Sequence, residues 1–589
     1  MKRIIWGLIY LDCCLNTGEV PENLFLIKGV GKLPISSIKL MTLLSKRIIE
    51  NLECLSCVDQ ESYIHFSSEA LSYTGLIERS LIYTEKYNDC GIPNQGLIVI
   101  INKDPISAIA AFIGAIFGGF VPSFLSPKTS KQDQKIYLET LTELIDCHDV
   151  EAIVLGNGEV LPIDMHRTIV SINVSDKFKE YSPKMLTGLS LEQQDENDIV
   201  FLQFSSGTTG LRKAIPISHR EFFDHLSSFQ AAFHYDKREH VVSWLPLYHD
   251  MGLIACCLLP IMTQVPITMI DPEEWSAKPV KLFEMIQRKK ATRIFLPNFA
   301  FNHLVYSCPE NEQFDLSSLK SIVNCSESCR GASFDMFLKK FSRFGLKREM
   351  LKTCYAMAET VFAVSYSGDA FVQRIPSHVL LTQCIDYILP VGVSDFLSSG
   401  RLLQGVNLRI LDKGLIEQES GELGQIALKG RSVISNYVLG KTKAEAPVSD
   451  GYFLTGDLGL VHDDQLYVLG RIKDTLIING KNIFAGDVEA VVNQIVGVKK
   501  GRVLALPVGS ENKGTDEMCV LLESERKILE ESELKKNVRM LVSNYFGLAC
   551  RVDVLPIGFL LKTSSGKLSR SLNYTKYMEW KAGMVLVNE

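Results

Sequence analysis

A chain of 589 residues, 46% apolar and 22% charged, has room for roughly two to four domains with cores of their own and an ordinary globular make-up. A net charge of −6 gives no reason to expect a nucleic acid as partner. The 15 cysteines are odd in number and scattered, which argues against a disulfide framework and for reduced thiols in a cytoplasmic setting.

In chain order, Met1-Lys2-Arg3 and the apolar residues 4–11 have two parts of a signal peptide, but Asp12-Cys13-Cys14 is no small-residue cleavage site, so a buried N-terminal strand is expected. Cys54 and Cys57 have a metal-like spacing with no second pair to complete it, and are read as structural. Residues 96–102 form a strand-like apolar run. The charge-free stretch 106–125, about 20 residues, matches the length of a membrane span. Gly118-Gly119 and Pro122 interrupt it and Asp104-Pro105 opens it as a helix start, which predicts a buried helix over 106–117 and then a core strand, with no transmembrane segment.

Further strands are predicted at 152–155, 199–204, 241–244, 265–270 and 294–296, alternating with helical segments that include 219–233. This alternation reads as βα units, an α/β fold with parallel sheets. Beyond Gly392 the pattern changes to short strands at 408–411, 424–429 and 465–469, a small β-rich subdomain. From Asp474 onward, strands at 475–478, 501–507 and 518–523 mix with helices at 485–495 and 532–546, enough for a separate α/β lid.

The run Ser205-Ser206-Gly207-Thr208-Thr209-Gly210-Leu211-Arg212-Lys213 follows one of these strands. Its glycines permit positive φ and leave no Cβ in the way, so backbone N–H groups can converge on phosphate oxygens. The four hydroxyls add donors, Thr208 or Thr209 can also ligate Mg²⁺, and Lys213 adds a cation. The Walker pattern is absent, and by itself a Ser/Thr/Gly run is an ordinary turn as readily as an anion cradle.

The loop resembles the phosphate loop of the adenylate-forming superfamily, which comprises acyl-CoA synthetases, luciferases, peptide-synthetase adenylation domains and fatty acyl-AMP ligases. Further matches follow in that family's order: Trp244-Leu-Pro-Leu-Tyr-His-Asp-Met-Gly-Leu253, Tyr355-Ala-Met-Ala-Glu-Thr360, Gly421-Glu-Leu-Gly424, Thr455-Gly-Asp-Leu-Gly459, Gly470-Arg-Ile-Lys-Asp474 and Lys562-Thr-Ser-Ser-Gly-Lys567. The resemblance spans about residues 60–570. The His-Asp-Met-Gly-Leu element and Pro297-Asn298-Phe299-Ala300 look most like the fatty acyl-AMP ligase branch.

The resemblance implies residues 1–40 as an extension without an assigned role, 41–472 as the large AMP-binding domain and 473–589 as a mobile lid hinged at Lys473. It implies attack of a carboxylate, from a medium- or long-chain fatty acid, on the α-phosphorus of ATP to give an acyl adenylate and pyrophosphate. Transfer to the phosphopantetheine thiol of an acyl carrier protein follows. Lys567 matches the lysine that reaches both carboxylate and α-phosphate, and Lys213 one that holds the outer phosphates. Glu359 matches a Mg²⁺-binding glutamate, and His249 a residue near the carboxylate and the thiol entry. Tyr355, with Ala356 and Met357 beside it, falls where adenine stacks, and Cys325, Ser326 and Glu327 where the adenine wall stands. Asp457 and Arg471 match ribose-binding positions, and Trp244, Asn298, Phe299 and Phe301 are candidates to line an acyl tunnel.

Several departures bear on activity: Arg212 and Ala214 after the loop, Ala356 and Cys325 where glycine is usual, Ser326 where alanine is, and Ala485 where proline is. They keep open a catalytically impaired nucleotide-binding homologue. The acceptor also has an alternative, free CoA as in acyl-CoA synthetases. About 40 residues between Glu359 and Gly400, where fatty acyl-AMP ligases carry an insertion, favour the carrier protein.

Overall fold

The computed structural model describes residues 63–66, 69–128, 134–156, 170–172, 195–204, 213–235, 238–325, 329–368, 372–375, 387–388, 395–439, 442–478, 481–509, 516–525, 531–563 and 567–587. The expected N-terminal strand and the extension 1–40 lie outside them.

The largest sheet has nine strands. Its centre runs parallel through Leu351–Ala356, Ser321–Asn324, Arg293–Leu296, Val241–Ser243, Ile267–Met269 and Tyr63–Phe66. Antiparallel strands extend both edges, Ala363–Tyr366 and Arg401–Leu402 on one side and Glu69–Ser72 on the other. A second sheet, wholly parallel, holds Val121–Phe124, Leu97–Ile101, Val150–Leu155 and Val170–Ile172. All of Leu97–Ile101 is buried, as expected of a parallel strand covered on both faces.

The charge-free stretch is a core helix, Pro105–Phe117, followed by the strand Val121–Phe124. Asp104 caps it by accepting the Ser107 N–H at 2.9 Å, and Pro105 occupies the first turn, where no N–H is needed. Gly114 lets the helix Tyr73–Asp89 approach: a Cβ there would stand 2.4 Å from the Ser80 carbonyl oxygen. The Thr84 hydroxyl donates to the Gly114 carbonyl at 2.7 Å across this seam. Among the described residues no helix is long and apolar enough to cross a membrane.

One predicted strand belongs elsewhere. Ile199–Phe204 does not join a parallel sheet; it pairs antiparallel with Ala214–Ser218, Phe204 opposite Ala214, and the helix His219–Phe233 starts only after this second strand. The Ser/Thr/Gly run therefore connects two antiparallel strands. The second is short and carries Pro216, which weakens its strand signal in the sequence.

The β-rich region is an antiparallel sheet of Val406–Leu411, Gly424–Gly430, Tyr452–His462, Val448–Ser449 and Gln465–Arg471. Beyond it, Val498–Gly509, Asp516–Ser524 and Arg551–Leu555 form a three-stranded sheet with the helices Ala485–Val492, Glu531–Phe546 and Arg570–Val587. Two apolar clusters belong to this region alone, one around Val488, Val520 and Val538 and one around Leu506, Leu521 and Tyr577. The third strand and last helix were not predicted: Arg551–Leu555 alternates charged and apolar residues, and Arg570–Val587 shows no clean apolar stripe.

Candidate active site

Sheet ends and turns bring residues far apart in sequence into two contact chains. Asp457 and Arg471 lie directly opposite each other on neighbouring antiparallel strands, and the guanidinium Nε sits 3.2 Å from the carboxylate. The other carboxylate oxygen accepts the hydroxyl of Tyr355 at 2.6 Å. Tyr355 is near the end of a central strand, buried, beside a bulge between itself and Ala356. Burial pushes the Asp457 carboxyl up from its ordinary range, while Arg471 and the Tyr355 hydroxyl pull it back.

The second chain runs from Lys213 to Glu359. Lys213, at the exit of the Ser/Thr/Gly connection, is exposed and holds its ammonium 4.6 Å from the ring centroid of Tyr437. The Tyr437 hydroxyl donates to Glu359 Oε1 at 3.1 Å. Glu359 sits in the single turn Ala358–Thr360, and the Ile434 N–H binds its main-chain oxygen at 3.0 Å. Burial raises its carboxyl, Tyr437 and Arg471 lower it, and Asp250 raises it again. Sequence reasoning did not single out Tyr437. It also missed Val361, which follows this turn at φ 68°, rare for a β-branched residue; the Gln203 amide donates to its carbonyl at 3.2 Å. Gln203 belongs to the strand leading into the Ser/Thr/Gly run, so its side chain ties that strand to the main chain after Glu359.

His249 and Asp250 occupy the turn before a π-helical segment, Met251–Leu258. Gly252 is required there, since a Cβ would come 2.1 Å from the Pro246 carbonyl oxygen. The His249 N–H donates to Pro246 at 3.2 Å and its ring lies 5.1 Å from that of Tyr248. Asp250 accepts the Met251 N–H at 2.8 Å. Its carboxyl is raised by burial and lowered by the charges of Lys567 and Arg471, so the C-terminal lysine lies within electrostatic reach of this turn. Lys567 itself is exposed, as is Lys473, which sits in the turn Ile472–Asp474. An ion pair between the half-buried Arg330 and the buried Asp487 joins the two parts of the chain.

The acyl-tunnel candidates separate. Trp244 stacks face to face on Trp275, ring centroids 3.6 Å apart and planes 2° from parallel, with the Phe299 ring edge-on to both. Asn298 accepts the Asn324 amide at 2.9 Å and donates to Ser333 at 3.2 Å. Phe301 is instead fully enclosed against Phe334 and Phe337. Two positions along a helix turn a side chain by about 200°, so Phe299 and Phe301 cannot share a face.

Cys325 is buried at the end of its strand, its N–H donating to Leu296 at 3.1 Å. Neither Cys325 nor Ala356 has positive φ, so replacing glycine costs no backbone strain at either. Met357 is held by its N–H to the Phe362 carbonyl at 2.8 Å. Ser205, Ser206, Gly207, Thr208, Thr209, Gly210, Ser326 and Glu327 lie outside the described residues. Among the described residues no three His, Cys, Asp or Glu side chains form a metal cage.

The architecture is that of the adenylation fold. A solved structure from work on fatty acyl-adenylate ligases of E. coli and L. pneumophila superposes with a TM-score of 0.80 at 22% identity, covering 93% of this chain and 99% of that one. Residues 58–438 match the family described as AMP-binding enzyme, and the chain belongs to that family. Among curated relatives, the medium-chain-fatty-acid–[acyl-carrier-protein] ligase JamA of Moorena producens is 28% identical over 437 residues, 69% of this chain and 74% of that protein. A protein described as a putative acyl-CoA synthetase of Caulobacter vibrioides is 26% identical over 531 residues, 87% of this chain and 91% of its own length.

Proposed function

We propose that this enzyme joins a medium- or long-chain fatty acid to ATP, releasing pyrophosphate, and passes the acyl group to the phosphopantetheine thiol of an acyl carrier protein. In the first step a carboxylate oxygen attacks the α-phosphorus and the bond to the β-phosphate oxygen breaks. In the second the thiol sulfur displaces AMP, giving a thioester and releasing a proton. Both reactants of the first step are anions. Groups that offset their repulsion accelerate it only if they bind the crowded transition state better than the ground state.

The observation that carries this reading is the contact chain of Tyr355, Asp457 and Arg471 from separate parts of the chain, with the charge of Arg471 also felt at Glu359 and Asp250 and that of Lys567 at Asp250. Lys567 would neutralise the approaching oxygens, and Lys213 would bind the outer phosphates. Asp457, with Arg471, would accept the ribose hydroxyls. Tyr355 would flank adenine, its ring fixed by its bond to Asp457. Glu359, a half-buried carboxylate that accepts the Tyr437 hydroxyl and keeps further lone pairs, suits a hard cation that draws its other ligands from phosphate. Mg²⁺ held there and by Thr208 would neutralise charge on the transferring phosphates. Trp244, Asn298 and Phe299 remain the acyl-side candidates, and Lys473 the hinge about which residues 473–589 swing between the half-reactions.

For the acceptor, support comes from the long segment after Glu359. Its strand Tyr387–Ile388 pairs in parallel with Asn482–Ile483 of the C-terminal region, so this segment reaches the part of the molecule that would present a carrier. The name of the JamA relative agrees with this reading. Pyrophosphate release across a fatty-acid panel tests the first step, and its complete absence would leave a nucleotide-binding protein without catalysis. Supplying pre-formed acyl adenylate with millimolar CoA, and separately with phosphopantetheinylated carrier proteins, tests the second. Rapid acyl-CoA formation would move the assignment to the acyl-CoA synthetases.

A further inference from the structure

Tyr437 stands between two charged groups proposed to bind the triphosphate, Lys213 directly and Glu359 through Mg²⁺. Its strand, Asn436–Leu439, pairs Val438 with Ala214, the residue after Lys213, so the ladder itself brings Tyr437 against the exit of the Ser/Thr/Gly connection. Its ring lies under the Lys213 ammonium at 4.6 Å, and its hydroxyl donates to Glu359 at 3.1 Å. The ring is buried and meets Phe453 edge-on at 6.5 Å, which fixes its direction.

We propose that Tyr437 is a positioning residue that yokes Lys213 to Glu359, holding the phosphate-binding cation and the metal-binding carboxylate at one fixed separation before nucleotide arrives. The inference rests on the nucleotide-binding reading of the site. The physical case is that each group alone is free to wander. Lysine has four rotatable side-chain bonds, and a glutamate carboxylate can turn about its last torsion. A ring face attracts the ammonium without consuming its N–H donors, which stay available for phosphate. A phenol donating to one carboxylate oxygen orients the other toward a cation, the service that outer-shell partners perform at metal sites. One side chain thus performs both tasks through two different parts of itself, and the parts can be removed separately.

The test uses the full-length protein and an ATP analogue with a methylene bridge between the α- and β-phosphorus, which binds without reacting. Its affinity is measured by calorimetry without metal and along a Mg²⁺ titration. Tyr437→Phe keeps the ring over Lys213 and loses the hydroxyl. It is expected to leave metal-free affinity within about twofold while raising the Mg²⁺ concentration for half-maximal tightening about 10-fold. Tyr437→Leu loses both contacts and should weaken metal-free binding as well. In a Glu359→Gln background, Tyr437→Phe should cost little more, because the hydroxyl acts through that carboxylate.

Equal losses with and without metal in Tyr437→Phe, an unchanged Mg²⁺ titration, or fully additive effects of Tyr437→Phe and Glu359→Gln would each overturn the proposal. Failure of the wild-type protein to bind the analogue at all would overturn the nucleotide reading, and this inference with it.

Discussion

Removing Asp457 is the perturbation whose stability cost the geometry specifies most fully. Its Oδ2 accepts the Tyr355 hydroxyl at 2.6 Å, and Tyr355 is only 8% exposed, so Asp457→Ala leaves a phenol that water barely reaches with the weak Met357 sulfur acceptor at 3.9 Å. A hydrogen bond to a charged acceptor contributes about 1.5–3 kcal/mol, and an orphaned buried donor costs a similar amount. The second contact, to Arg471 Nε at 3.2 Å, is worth far less: the arginine side chain is 69% exposed, which places the pair at about 0–1 kcal/mol. The expected destabilisation is about 2–3 kcal/mol, most of it through Tyr355. Urea unfolding of the wild type, Asp457→Ala, Tyr355→Phe and the double variant forms a cycle that isolates this contact. The expected coupling energy is about 1.5 kcal/mol or more. A coupling below about 0.5 kcal/mol would refute the reasoning, because the two groups would then contribute independently despite their contact.

Lys567→Ala should lower the adenylation kcat by about 10²–10³ while changing ATP affinity far less, as expected of a contact made mainly in the transition state; pyrophosphate-release kinetics within threefold of wild type would remove Lys567 from its role. Lys473→Pro fixes φ near −65° at the proposed hinge and should leave acyl-adenylate formation largely intact while thioester formation collapses, and equal loss of both would place the hinge elsewhere. His225, buried and accepting the Ala363 N–H at 3.4 Å, has its pKa pushed down to about 3 by burial, and His219 is pushed down to about 4 for the same reason. The unfolded chain binds these protons near pH 6.5 and the folded chain does not, so this contribution to stability is complete above about pH 6.5 and is lost as pH falls through the window below it. His225→Gln should reduce the pH dependence of unfolding free energy between pH 6 and 4.5 by up to about 1.4 kcal/mol per pH unit; a slope equal to that of wild type would show that His225 does not resist protonation.

Local signals made much of this protein legible from its sequence. The helix Pro105–Phe117 follows from Asp104, Pro105 and an unbroken apolar run, because capping and burial are properties of neighbouring residues. The same holds for the helix His219–Phe233, which Ser218 and Glu221 begin with a reciprocal pair of hydrogen bonds. Tyr355, Glu359, Asp457 and Arg471 were found because each lies in a short run of distinctive residues. What those runs do not contain is each other. That Asp457 faces Arg471, and that Tyr355 ties to Asp457, depends on a ladder register and on the bulge that ends a central strand. Tyr437 sits in the unremarkable run Asn436–Leu439, and only its pairing with the strand after Lys213 gives it two charged neighbours. Phe301 and Phe299 look equivalent as sequence, yet the helix turns one into the core and the other toward Trp244 and Trp275. Periodicity and caps depend on residues a few positions apart. Contacts across sheets join residues separated by a hundred positions or so, as with Tyr355 and Asp457, and are set by the register of the whole fold.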